Sequence, residues 1–370
     1  MNFDLSDEGR MLQDGLRRFL TDTYTPATRR AAMGATAGFD AEIWSGLAEM
    51  GVIGALFPED QGGFGGTGFD LALMFEELGR VGAIDPLIDT GVLGGGLLAA
   101  AGRDDLLEEV IGGTLQLALA HTEPGSRYDL ARVATTATKD GDGWTLSGRK
   151  AVVVNAPGAD RIIISARTDG TTGDPDGISL FIVPAEALNL LPYPLVGGGM
   201  ASEIALDGIK FPADALLGDA GHAYPMLAAA QARATLAICA EALGLMEAIR
   251  RLTTDYLRTR KQFGQPIGKF QVLQHRMADV LIEIEQARSA VINLAGNIDT
   301  PDRDLHLHAT KNLIGTVAKL VVEESIQMHG GIGVTEEYDL GHLAKRLTMV
   351  DHRFGDALWH LERFITLRAA

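Results

Sequence analysis

Tyr256-Leu-Arg-Thr-Arg-Lys-Gln-Phe-Gly-Gln-Pro-Ile-Gly-Lys-Phe-Gln271 gathers the cations Arg258, Arg260, Lys261 and Lys269, with amides and aromatic rings, around a helix stop. The planar fork of Arg260 suits a diphosphate, and Phe263 offers a flat surface to a ring. A plainer reading weighs about equally on this stretch alone: a solvated last turn whose cations sit at the negative end of a helix dipole. Downstream, Gln327-Met-His-Gly-Gly-Ile-Gly-Val-Thr-Glu-Glu-Tyr338 carries glycines where backbone comes close to a ligand. Taken alone, they read as a helix C-cap. They follow a helix and not a strand, so they are no dinucleotide fingerprint.

Both stretches lie in a helical final third, with apolar residues at helical spacing over 228–260, 271–297 and 305–329. Before it the period changes. Leu117-Ala-Leu-Ala-His121, Val133-Ala-Thr-Thr-Ala-Thr138 and Trp144-Thr-Leu146 alternate as half-buried strands, and Ala151-Val-Val-Val154 is a short apolar run. Arg161-Ile-Ile-Ile-Ser165, Ile178-Ser-Leu-Phe-Ile-Val183 and Glu203-Ile-Ala-Leu206 continue the series, with Gly and Asp in the turns between. Short strands at this spacing make a sandwich or barrel.

The first third is helical. Ser6 is expected to cap a helix with Asp7 and Glu8 in its first turn, followed by Leu12, Leu16, Phe19 and Leu20 at helical spacing. A second helix carries Ile43, Trp44, Leu47 and Met50 and stops at Gly51. The glycine-rich stretch 58–68 reads as a loop, 70–80 as helix, and a further helix ends at Gly112-Gly113. The expected fold is α+β and multidomain: an N-terminal α-helical domain (1–116), a central antiparallel β-barrel (117–222) and a C-terminal four-helix bundle (223–370).

Composition narrows the function. A chain of 370 residues exceeds one usual core. Its 49 Asp and Glu against 32 Lys and Arg give a net charge of −17, with no basic run, which argues against nucleic acid and anionic lipid. Cys239 is the single cysteine, so a disulfide framework or thiolate metal cage is excluded; it reads as a small buried hydrophobe. His306 and His308 do not share a helix face, so no metal is expected. Neither a nucleophile elbow nor a Walker lysine occurs. The apolar stretch 92–101 is broken by glycines and too short to span a bilayer, and the N-terminus lacks a signal core. A cytoplasmic protein without membrane insertion is expected.

Together the two quoted segments resemble the acyl-CoA dehydrogenase family, and the likeness runs the length of the chain. The stretch 44–80, with Met-Gly-Val-Ile-Gly54, Pro-Glu-Asp-Gln-Gly-Gly63 and Glu-Glu-Leu-Gly-Arg80, looks like the family's N-terminal domain. Thr122-Glu-Pro-Gly125 resembles the start of its flavin loop, and Phe211-Pro-Ala-Asp-Ala-Leu-Leu-Gly218 its barrel exit. A narrower likeness, to small subunits of pimeloyl-CoA dehydrogenase, rests on Ser126-Arg-Tyr-Asp-Leu130, Lys345-Arg-Leu-Thr-Met349 and Phe354-Gly-Asp-Ala357.

The resemblance implies an FAD-dependent oxidoreductase of acyl-CoA degradation (β-oxidation), forming a 2,3-enoyl thioester. In the family a carboxylate removes the α-proton while the β-hydrogen leaves as hydride to the flavin. Electrons are expected to pass to an electron-transfer flavoprotein. The usual base is the Glu of a Tyr-Glu-Gly-Thr motif; counted without gaps from Gly330, it falls on Phe354, with glycine on Gly355. The alternative base position, on the first bundle helix, falls on Ala234, and Thr235 stands where many members carry Arg. Where members have Gly-Ala-Gly-Ser-Asp, this chain has Gly125-Ser-Arg-Tyr-Asp129; where they have Trp-Ile-Thr beside the flavin ring, it has Val152-Val153-Val154. Glu337 is expected to be structural.

The matching residues share a role. In the family the positions of Arg260, Phe263, Gln271, Gln327 and Gly331 grip the diphosphate and adenosine end of a neighbouring subunit's FAD, and Thr122 lies in the subunit's own flavin loop. Retention of the first set and loss of the ring-facing groups and base imply a non-catalytic partner in an α2β2 heteromer. Three readings compete: a homo-oligomeric dehydrogenase using Asp356 or Asp351 as base, a flavin-free scaffold of the fold that binds acyl-CoA or a partner, and a purely structural likeness.

Overall fold

The computed structural model describes residues 7–369, so the expected Ser6 cap lies outside the described residues. The order along the chain is helices, a β-rich middle, then helices again, as expected. The first part holds α1 (Asp7–Thr23), α2 (Pro26–Met33), α3 (Ala41–Glu49), α4 (Gly68–Val81), α5 (Gly96–Ala100) and α6 (Asp104–Ile111). Asp40 caps α3, its carboxylate accepting from the amides of Glu42 and Ile43, and Ile43, Trp44 and Leu47 are the buried face. Thr67 and Asp70 form a reciprocal capping box on α4. A π-helical segment, Leu87–Gly95, runs into α5, a continuation that its glycines do not announce. The 58–68 stretch is mostly loop, with one 3-10 turn at Glu59–Gln61.

The middle holds β1 (Leu117–Ala120), β2 (Thr136–Asp140), β3 (Gly143–Val154), β4 (Arg161–Arg167), β5 (Ile178–Pro184), β6 (Leu190–Pro194), β7 (Met200–Pro212) and β8 (Leu216–Leu217). They form one sheet in the order β6-β7-β3-β2-β4-β5-β8, with β1 beside β4. The expectation of an antiparallel sheet needs correcting: β1 runs parallel to β4, and β2 meets β4 parallel at Thr136 and Arg167, so the sheet is mixed. Trp144-Thr-Leu146 and Ala151-Val-Val-Val154 are two ends of one strand. That strand is interrupted against β7, where Ala151 and Val152 lie opposite Glu203 alone, a β-bulge. Its core is built from Leu146, Val153, Ile162, Ile164, Phe181, Val183, Ile204 and Leu206.

The expected C-terminal helical domain follows, with α7 (Tyr224–Thr259), α8 (Gln271–Asn297), α9 (Arg303–His329), α10 (Asp339–Asp351) and α11 (Ala357–Ala369), and a small hairpin, β9 (Lys261–Gln262) and β10 (Gln265–Pro266), after α7. Two compact units emerge: residues 1–29, 67–83 and 235–370 form one, and 30–66 and 84–234 the other. Within the first, α4 and α7 come close at Gly79 and Gly244, where an added Cβ would collide with the carbonyls of Glu241 and Glu76 respectively. Arg288 on α8 bridges Glu76 at 2.9 Å and Glu247 at 2.8 Å, tying α4, α7 and α8. Cys239 is fully buried, as expected of a small hydrophobe. Among the described residues no helix is long and apolar enough to cross a membrane.

Candidate functional site

At the end of α7 the backbone turns sharply. Arg260 N–H donates to the Tyr256 carbonyl (2.8 Å), and Ile267 N–H donates to the Arg260 carbonyl (2.9 Å), closing the hairpin. Its turn residues Phe263 (φ 52°) and Gly264 (φ 78°) are both left-handed, the geometry of a tight primed turn. Phe263 is thereby lifted to 89% exposure, with only an edge contact to Phe270 at 6.1 Å. Arg258, Arg260, Lys261 and Lys269 are exposed, and no carboxylate pairs with them among the described residues. On a chain of net charge −17 that is a local excess of unpaired cations beside a bare ring.

The second quoted stretch joins the same end of this unit. Tyr256 stacks on His329 at 4.4 Å, and His329 closes α9 just before Gly330. The His329 ring donates from Nδ1 to the Ser325 carbonyl at 2.8 Å, leaving Nε2 to accept from the Tyr338 hydroxyl at 3.2 Å. Burial holds this imidazole below its ordinary pKa, so it stays neutral in that arrangement. Gln271, Gln327 and Gly331 are exposed, and a Cβ on Gly331 would meet nothing within 4 Å. Packing inside the chain therefore does not explain glycine there. Arg260, Phe263, Gln271, Gln327 and Gly331 all face outward, and none is consumed by the fold.

In the other unit, exposed Thr122 follows β1, its carbonyl accepting from Ala151 N–H at 2.8 Å. Beneath it lies a buried ionic cluster that the sequence does not signal. Lys150 is fully buried and meets the Glu123 carboxylate at 2.6 Å, Ser165 Oγ at 3.0 Å and the His121 carbonyl at 3.4 Å. Glu123 also accepts from the amides of Ala134 (2.7 Å) and Thr135 (3.0 Å). Burial pushes the ammonium of Lys150 down to about 8, against the pull of Glu123. Burial also works to raise the Glu123 carboxyl, but Lys150 and the donors from Thr135 and Ala134 outweigh it and hold it below the usual range. The His121 imidazole is pushed down to about 3 by burial and by the adjoining Lys150 charge.

The residues expected from the resemblance to stand in ring-facing places are placed differently from this cluster. Val152 sits at φ 52° and 48% exposure, its N–H donating at 3.1 Å to Glu203, which also accepts from the Tyr193 hydroxyl at 2.7 Å. Val153 is buried in the sheet. Arg127, where members have glycine, takes a left-handed φ of 50° and is exposed. The aliphatic side chains of Val152, Val153 and Val154 offer no hydrogen bond of their own.

Phe354, at φ 61°, is half-buried, with the Arg353 guanidinium 4.8 Å from its ring centre. Ala234 is fully buried in α7 and Thr235 nearly so. Asp356 caps α11, accepting from Trp359 N–H at 2.9 Å, and Asp351 accepts from Ala357 N–H at 3.0 Å. Both carboxylates thus have a helix-start role.

Comparison with known proteins agrees along the whole chain. The acyl-CoA dehydrogenase N-terminal, middle and C-terminal domain models match residues 6–116, 118–200 and 219–353. The 3-(aryl)acrylate reductase of Clostridium sporogenes is 30% identical, over 85% of this chain and 86% of its own. The probable acyl-CoA dehydrogenase YngJ of Bacillus subtilis is 29% identical, over 100% of this chain and 99% of its own. Among solved structures, a variant of the Tcur3481-Tcur3483 steroid ACAD superposes with a TM-score of 0.87 at 32% identity, covering 98% of each chain. The chain belongs to the acyl-CoA dehydrogenase family, oxidoreductases whose cofactor is FAD.

Proposed function

We propose that this chain is the subunit of a heteromeric acyl-CoA dehydrogenase that lacks the usual base and completes the FAD site of a catalytic partner. The observation that carries the reading is the hairpin, with unpaired Arg260 and 89%-exposed Phe263; beside it stands the sequence expectation that the base position falls on Phe354. Arg260 would take the diphosphate, Phe263 the adenosine end, and Gln271, Gln327 and the open backbone of Gly331 the remaining polar edges. FAD, when bound, supplies the acceptor for hydride. The partner brings the carboxylate and an intact ring-facing strand.

Assembly has a surface to use. On α11, Leu358, Leu361 and Ile365 recur along one face and are exposed, as are Leu281 and Ile282 on α8. An α2β2 arrangement of the kind expected for pimeloyl-CoA dehydrogenase small subunits fits these faces, in a cytoplasmic setting and with the domain bounds 1–116, 117–222 and 223–370. One relative at 29% identity is a caffeyl-CoA reductase-Etf complex subunit, which supports an electron-transfer flavoprotein as acceptor here. The substrate class is an acyl-CoA thioester.

The test is a visible absorption spectrum of the chain purified alone, mixed with FAD and desalted, then repeated on the assembly formed with a co-expressed family member. Colourless alone and yellow in the assembly is the expected result. Stoichiometric FAD on the isolated chain would replace this reading with the self-sufficient one. FAD retained in no assembly would leave the flavin-free scaffold.

A further inference from the structure

The apolar stripe of α9, Leu307, Ile314, Ala318 and Val321, is interrupted by Lys311, a fully buried lysine with no carboxylate in hydrogen-bond contact among the described residues. A buried ammonium is costly, and burial holds this one below its ordinary pKa. Packing alone would favour methionine. What the lysine does instead is reach the loop between α10 and α11: Nζ donates to the Gly355 carbonyl at 2.7 Å and the Asp351 carbonyl at 3.3 Å. From the other side His360, the one buried residue of α11, meets the Phe354 carbonyl through Nε2 at 3.1 Å. A carbonyl only accepts, so Nε2 carries the proton and Nδ1 accepts from Nδ1–H of His308 at 2.8 Å. Burial, with Lys311 and His308 adding, pushes His360 down to about 3, which keeps this tautomer neutral. Asn312 Nδ2 adds a bond to the Ala357 carbonyl at 2.8 Å, and α9 carries glycine at 315 where a Cβ would collide with the Asp351 carboxylate.

We propose that Lys311 and His360 are positioning residues for residue 354: they clamp the carbonyls of Phe354 and Gly355, fixing the left-handed backbone at that position whatever side chain it bears. The clamp uses only backbone atoms of residues 354 and 355, so the phenyl ring contributes nothing to it. Phe354 at φ 61° and Gly355 at φ 118° form a conformation a free loop would abandon. Residue 354 is thus held in a fixed backbone shape although its own side chain is no carboxylate. Its relevance to catalysis rests on the proposed assignment of residue 354 to the family's base position; the clamp itself does not.

The experiment is native-state hydrogen exchange on the full chain, read at the amides of Ala357 and Trp359, which bond to carboxylates of this loop, together with tryptic cleavage after Arg353. Lys311→Met and His360→Phe are each expected to speed exchange there at least tenfold and open the Arg353 site, with the interior of α7 unchanged. His360→Gln, whose amide nitrogen reaches where Nε2 donates, restores slow exchange, and Phe354→Glu leaves it within about twofold of the parent. Unchanged exchange in both disruptive variants overturns the clamp. So does acceleration spread equally over the bundle, failure of His360→Gln to restore protection, or a loop loosened by Phe354→Glu. If Lys311→Met does not fold, the His360 pair decides. The base-position assignment is read separately, by α-proton exchange of an acyl-CoA with Phe354→Glu in the FAD-loaded assembly; its failure leaves the clamp result standing.

Discussion

At Glu123 and Lys150 both charges are buried and paired at 2.6 Å, whereas Arg258, Arg260, Lys261 and Lys269 are exposed and form no ion pair among the described residues. Both clusters lie in stretches that carry the family likeness, and both are polar. The first is spent on the fold: it ties the segment after β1 to β3 and to the amides of Ala134 and Thr135. The second contributes nothing to this chain's own stability that its packing reveals. A charge consumed internally maintains a shape. A charge left unpaired on an acidic molecule is available to something outside it.

That contrast breaks first at the buried pair. Lys150→Met leaves the Glu123 carboxylate buried without its cation, and Glu123→Gln does the converse. Each is expected to cost about 3–5 kcal/mol, read as a lowered urea midpoint. The double replacement Glu123→Leu with Lys150→Met recovers much of the loss, because removing both charges also removes the desolvation penalty. A midpoint unmoved by either single change would mean the pair is not isolated from water.

The exposed set should respond in the opposite sense. Arg260→Ala and Phe263→Ala are expected to leave thermal stability within about 0.5 kcal/mol of the parent, as surface changes do. FAD retention by the assembly should weaken roughly tenfold to a hundredfold, about 1.4–2.8 kcal/mol, measured by flavin titration. A large stability loss without a change in FAD affinity would make the hairpin structural.

The sequence makes the second cluster visible and hides the first for a physical reason. Arg260, Phe263 and Lys269 lie within one short stretch, so local spacing displays them. Glu123 and Lys150 are 27 residues apart and meet only through sheet pairing. Lys311 did leave a trace, a cation on an apolar helical stripe. Helix α8 is legible to its ends because its apolar period is sustained over 27 residues. Helix α11 is not, since His360 is its one buried residue. Strand β6 lies at an edge, with Leu191 and Pro192 exposed, and so shows no clean alternation. The bulge at Ala151 and Val152 is a property of register against β7, which no single strand encodes.

Acid should probe the buried polar groups of both units together. His121 and His360 are each pushed down to about 3 by burial. Above about pH 6.5 both are neutral folded and unfolded; below it the unfolded chain takes up protons that the folded chain refuses. Stability therefore falls as pH drops from about 6.5 towards about 3, with each histidine contributing up to about 1.4 kcal/mol per pH unit. Replacing His360 with Gln should flatten the slope by one proton, measured by urea unfolding across that range. An unchanged slope would mean His360 is protonated in the native protein.

The smallest expected effect decides between the two enzymatic readings. Asp356 accepts the Trp359 amide at the start of α11, so Asp356→Ala should cost about 1 kcal/mol of stability, the usual loss of an N-cap. Turnover of the assembly should not change if, as proposed, the base belongs to the partner. Asp356→Asn keeps a capping oxygen and removes the basicity, which separates the two roles. If Asn restores stability and turnover is intact in both variants, Asp356 is a cap. If turnover collapses by orders of magnitude in Asp356→Asn while stability holds, the carboxylate is the base. In that case the chain is a self-sufficient dehydrogenase, and the unpaired cations of its hairpin serve a second copy of itself.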